Sequence, residues 1–176
     1  MIEYIKSKIA AYLINKTLNS KSVPNRSFKN ILRNCSSFFV IMPEQEHDFQ
    51  RAREVISFLE RYHKIVSIMT FDFRRNEFLQ GHFRDIVEYG LVDYSKVNLP
   101  SKRLTEILKP KEFDAVIDLN RGENQFCSFA ANLVKSDLII GFTKKNSDKF
   151  YTIQINDNED NPEISYKIHT FSLKHL

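Results

Sequence analysis

Two aspartates are the residues of this chain best placed to do chemistry. Asp118 closes the apolar run Ala115-Val116-Ile117, and Asp48 follows the run Phe38-Phe39-Val40-Ile41-Met42 across a short polar loop. A pair of carboxylates is the usual equipment of general acid–base catalysis, one taking a proton while the other gives one. Asp48, with His47 beside it, is the candidate catalytic residue. Asp118 and the polar residues after it, Asn120, Arg121 and Glu123, are the candidates for binding a ligand. Each aspartate also has a structural role open to it, Asp48 as a helix N-cap and Asp118 as an acid that stabilises a turn. No Ser-His-Asp or Cys-His arrangement is present, and no spacing of Cys or His suits a metal ion.

The two aspartates can meet only if both strands end at the same sheet edge. Phe113–Asn132 has the strand–turn–helix grammar of a parallel α/β sheet, with Phe126, Phe129, Ala130 and Leu133 on one helical face. Phe38–Met42 reads as a strand buried on both faces. Asp48 stands as the cap of a following helix that carries Phe49, Ala52, Val55, Ile56 and Leu59. Ile65–Met69 and Leu138–Phe142 read as further buried strands, and Phe150–Ile155 as a last, alternating one. The spacing predicts a helix over Phe78–Tyr89 stopped by Gly90, then an extended piece over Asp93–Leu99 and a Ser101-capped helix with Leu104, Ile107 and Leu108. Pro162 opens a closing helix with Ile164, Ile168 and Phe171 expected inward. The sum is a single three-layer α/β domain over 35–176 with a mainly parallel, Rossmann-like sheet. Ligands of such sheets bind outside the carboxyl ends of the strands, where both aspartates fall.

A chain of 176 residues with 42% hydrophobic content can build one real core. Four glycines and five prolines are too few for a turn-rich all-β fold. Cys35 and Cys127 form no disulfide framework, and Cys127 reads as a small buried hydrophobe. Reduced thiols, and a sequence with neither a signal peptide nor a long apolar span, point to the cytoplasm. The net charge of +4 is uneven. Residues 1–34 hold Lys6, Lys8, Lys16, Lys21, Arg26, Lys29 and Arg33 against Glu3 alone, a net +6 that leaves −2 on the remainder. This extension starts as a helix over 2–18 whose Ile2, Ile5, Ile9, Tyr12 and Leu13 share a face, expected to dock on the domain's own sheet. Its seven cations are candidates for an anionic partner, a membrane surface or RNA, which would place the protein at the periphery of a membrane.

The loop Met42-Pro-Glu-Gln-Glu-His-Asp48 lacks glycine and carries three acids, so it neither approaches nor attracts a pyrophosphate, and no cofactor is expected. From Phe38 onward the chain nevertheless resembles the N-terminal half of family 9 glycosyltransferases, the lipopolysaccharide heptosyltransferases. Phe113-Asp-Ala-Val-Ile-Asp-Leu-Asn and Leu138-Ile-Ile-Gly-Phe142 are similar to that family's "YDLVIDL … RIGF" pattern. Val40 to Leu59 aligns without gaps on its first strand, loop and helix, and the resemblance places the family's catalytic aspartate on Asp48. The family's loop reads Ser-Ser-Leu-Gly where this chain has Glu-Gln-Glu-His, and residues 156–176 are too short to form the family's second, donor-holding domain. Over nearly its full length the chain also resembles small uncharacterised bacterial proteins with a basic N-terminal helix, an "IDL" strand and a glycine-containing strand. The expectation is a non-catalytic binding or interaction protein, with a protein partner or a second copy of itself. The alternatives are a glycosyltransferase-type enzyme completed by a partner or a homodimer, and a protein tethered through residues 1–34.

Overall fold

The computed structural model describes residues 2–18, 30–158 and 160–176, with Ile2 and Glu3 as backbone alone. Lys21, Arg26 and Lys29 of the basic extension lie outside the described residues. Six strands, β1 (Ser37–Ile41), β2 (Ile65–Phe71), β3 (Asp85–Tyr89), β4 (Ala115–Asp118), β5 (Ile139–Phe142) and β6 (Ile153–Ile155), form one sheet in the order β3-β2-β1-β4-β5-β6. Every pairing between them is parallel. Strand direction and alternation place Phe38, Val40 and Met42 in the core on one face and Phe39 and Ile41 in the core on the other. The first face is covered by α3 (Glu46–Arg61) and α6 (Pro162–His175), with the short α2 (Ile31–Asn34) beside α6. The second is covered by α1 (Ile2–Leu18), α4 (Lys102–Leu108) and α5 (Gln125–Leu133). This is the three-layer α/β domain expected, doubly wound about the junction of β1 and β4.

Three local readings are corrected. Phe78–Tyr89 is not a helix: a 3-10 helix over Asp72–Phe78 is followed by β3. Phe78 and Phe83 meet edge to face with centroids 5.7 Å apart, gathering on one core from separate segments. Their spacing imitated a helical face, but pairing of Asp85–Tyr89 with Ser67–Phe71 turns Val87 and Tyr89 into the opposite core. Asp48 does not cap α3, which starts earlier with Gln45 at the N-cap, and it lies in the first turn with Glu46. There both acids face the helix's positive end. On α6, Ile164 and Phe171 point outward, whereas Ser165, Tyr166, His169 and Leu173 are buried and Ile168 packs at the core's edge.

The N-terminal helix is turned over relative to expectation. Ala10 and Ile14 are its buried residues and seat it on α5, while Ile5, Ile9, Tyr12 and Leu13 face outward. A small residue one turn before an isoleucine permits close helix approach, which a face of Ile9, Tyr12 and Leu13 does not.

His169 gives the fold a predictable pH dependence. It is fully buried, 5.2 Å from the Phe142 ring by centroids, and neither ring nitrogen is hydrogen-bonded among the described residues. Burial, only partly opposed by the Asp118 charge, pulls its pKa down to about 3. Between that value and an unfolded-state value of about 6.5, the unfolded chain binds a proton that the fold refuses. Stability is therefore full above the unfolded value and is lost as pH falls, by about 1.4 kcal/mol per unit from this group. Urea midpoints taken from about pH 7 down to about pH 4 should fall, and His169→Leu should flatten the profile by that slope. An identical slope in the variant would assign the acid sensitivity elsewhere.

Candidate functional site

Where the strand order reverses, a doubly wound sheet leaves a crevice between the carboxyl ends of β1 and β4. In this chain side chains fill it. The Leu119 amide donates to the Ile41 carbonyl at 3.0 Å, and the Tyr166 hydroxyl donates to the Leu119 carbonyl at 2.8 Å. Asp118 is fully buried at the end of β4. Its Oδ1 accepts from the Asn120 amide at 3.0 Å and from Asn120 Nδ2 at 2.7 Å. Its Oδ2 accepts from the Tyr151 hydroxyl at 2.5 Å and Ser128 Oγ at 3.3 Å, with Lys144 Nζ at 3.5 Å. Lys144 Nζ also donates to the Asn120 carbonyl at 2.8 Å. Burial, then the Asp118 charge, drives the Tyr151 phenol's pKa far up, so it stays a neutral donor.

Tyr151 reaches Asp118 because the neighbouring strand carries a glycine. Gly141 pairs with Asp118 across β4 and β5, and a Cβ there would lie 2.6 Å from the Tyr151 ring. The ring occupies the space a side chain would need.

Arg121 is the second clasp. Its Nε donates to Asp157 Oδ1 at 2.8 Å, its Nη1 to Asp48 Oδ1 at 3.2 Å and its Nη2 to the Asn158 carbonyl at 2.7 Å. The side chains are 9%, 13% and 11% exposed for Arg121, Asp48 and Asp157, so little solvent screens the charges. Asp48 is thus joined to the β4 loop through a guanidinium. His47 and Glu123 are exposed.

The first loop is held by side chains where nucleotide-binding folds use glycine. Glu44 Oε1 accepts from the hydroxyls of Tyr89 at 3.1 Å and Tyr94 at 3.0 Å. The Glu44 carbonyl accepts from Arg74 Nη2 at 3.1 Å, and the same guanidinium pairs with Glu46 and Glu77. Cys127 lies 3.6 Å from the Tyr89 hydroxyl, and burial pushes its thiol's pKa up, which removes the reactive thiolate.

Open space begins beside this locked crevice, past the end of β5. A cavity of about 300 Å³ lies between α1 and the loop that follows β5, lined by Ile14, Asn124, Ser128, Lys144, Lys145 and Lys149 among others. Glu123 belongs to this cavity, whereas Asp48 and Asp118 do not line it. Ser128 and Lys144 connect its wall to the buried Asp118. Among the described residues no group of three His, Cys, Asp or Glu could hold a metal. The sequence reading missed Tyr151, Ser128, Lys144, Asp157 and Glu44, which complete these networks. Their partners lie 10 to 50 residues away along the chain, so no local spacing announces them.

No family model and no curated protein sequence matches this chain. Solved structures do. It superposes on the heptosyltransferase WaaC of E. coli, determined with ADP, with a TM-score of 0.61 at 13% identity, covering 78% of this chain and 46% of that one. The fold is that of half a family 9 glycosyltransferase. A family 9 glycosyltransferase from Veillonella parvula gives a TM-score of 0.59 at 13% identity, covering 78% of this chain and 40% of that one. The half-domain spans less than half the length of either enzyme, and the likeness is one of fold.

Proposed function

We propose that this glycosyltransferase-like half-domain is a binding or interaction module that does not turn over substrate by itself. The state of its carboxylates supports this reading. A general base must stand within hydrogen-bond reach of a substrate proton. Asp118 spends its oxygens on Asn120, Tyr151, Ser128 and Lys144 inside the protein, and Asp48 is held by Arg121. The exposed polar surface near them, at Glu123, Lys145 and Lys149, belongs to the cavity beside α1, which suits binding of a polar, anionic ligand or a partner's acidic loop.

The test is turnover by the purified chain. Incubation with nucleoside-diphosphate sugars should give neither hydrolysis nor transfer, and Asp48→Ala should change nothing measurable in that assay. Turnover by the chain, abolished in Asp48→Ala at unchanged stability, would overturn the proposal. A second reading, an enzyme completed by another chain, draws on the chain's covering only 46% of the E. coli heptosyltransferase. It would be selected if activity appeared only in a co-purified complex and vanished with Asp48→Ala.

A further inference from the structure

We infer that the outer face of α1 seats the protein on an anionic lipid bilayer, with the helix lying in the plane of the interface. Successive helical positions turn by about 100°, so Ile5, Ile9, Tyr12 and Leu13 fall within one arc of about 100°. All four project from the surface; Tyr12 is 65% exposed and Ile5 51%. They are accessible because the helix is already anchored from behind through Ala10 and Ile14 on α5. The stripe is therefore a face left over after docking, not one awaiting the domain's own core. No helix among the described residues is long and apolar enough to cross a membrane.

Charge selects the occupant. Lys16 falls within the same arc and Lys8 at its margin, 5.4 Å from the Tyr4 ring centroid, and both are exposed. Lysine is depleted from the centre of protein–protein interfaces, because burying its ammonium against a second apolar face forfeits hydration. At a bilayer the same lysines reach up to the phosphate level while their methylenes and the neighbouring isoleucines enter the acyl boundary. Tyr4 and Tyr12 have the amphipathic rings that favour that depth. RNA would use the lysines but gives no return for three exposed aliphatic side chains. Residues 1–34 add to the attraction with a net +6, against −2 on the remainder.

Co-sedimentation of the full chain with phosphatidylglycerol–phosphatidylcholine vesicles tests this, with pure phosphatidylcholine vesicles as reference. Binding should favour the anionic vesicles and weaken with added salt. Ile5→Ser with Ile9→Ser should weaken partitioning by about tenfold or more, since membrane affinity scales with buried apolar area. Lys8→Gln with Lys16→Gln should reduce the preference for anionic lipid, since it lowers the segment's net charge from +6 to +4. Both pairs change exposed residues, so thermal melts should stay near wild type. Absence of vesicle binding at low salt would overturn the inference. So would vesicle binding unaffected by the isoleucine pair, which would mean a polyanion site. A dimer in gel filtration that the isoleucine pair dissociates, without vesicle binding, would assign the face to a second copy instead.

Discussion

Asp118→Ala is expected to cost about 3–5 kcal/mol of folding stability, the range for removing one partner from a buried charged network. The substitution strands several donors at once. Tyr151, Ser128 and the Asn120 amide lose their acceptor, and Lys144, with its side chain 7% exposed, loses the carboxylate beside its ammonium. Asp118→Asn keeps the shape and one carbonyl acceptor, so it should fall between wild type and the alanine variant. Tyr151→Phe removes the hydroxyl that bonds both Asp118 and Ser128 and should cost about 1–3 kcal/mol. Urea unfolding at a constant m-value resolves this order. A loss below about 1 kcal/mol for Asp118→Ala would show that the network carries little of the fold and would return Asp118 to consideration as a functional acid.

Arg121→Met should be as damaging, at about 3–5 kcal/mol, for a different reason. It keeps most of the side chain's length and apolar contact but leaves Asp48 and Asp157, both largely sheltered, with no cation between them. It also frees the Asn158 carbonyl, so the loop before α6 loses its tie to the β4 loop. The double variant Arg121→Met with Asp48→Asn should recover part of the loss, because one uncompensated charge goes with the guanidinium. That recovery, a coupling energy on the order of 1 kcal/mol or more, is the signature of an ion pair and is absent from simple loss of packing. Strict additivity of the two substitutions would dismiss the clasp.

The elements that sequence made legible share one property: their burial is settled locally. Val116-Ile117 and Phe38–Met42 are continuous apolar runs, and Ser101 caps α4 through its own side chain, accepting from the Leu104 amide. What stayed hidden depends on distant partners. β3 is a strand because β2 lies beside it, and Asp85–Tyr89 offers too few apolar positions to announce that. The face of α1 was misread because the sum of its large apolar residues outweighed Ala10, which decides the docking. At the site, Asp118 ends β4 and Asp48 lies in the first turn of α3, but Tyr151 and Arg121 determine whether those acids are available. The first comes from beyond β5 and the second reaches across to Asp157, contacts that no periodicity encodes.

Gly141 bears on how this protein can be engineered. Glycine in a strand is ordinarily an invitation to improve a sheet, since a β-branched residue has better propensity and more surface to bury. Here that repair would be self-defeating. Valine at this position would compete with the Tyr151 ring for the same volume, and the ring's displacement would withdraw the hydroxyl that Asp118 accepts from. A propensity table scores residue 141 as the sheet's weak point, whereas its missing side chain is the recess that lets an aromatic from another segment neighbour a buried carboxylate.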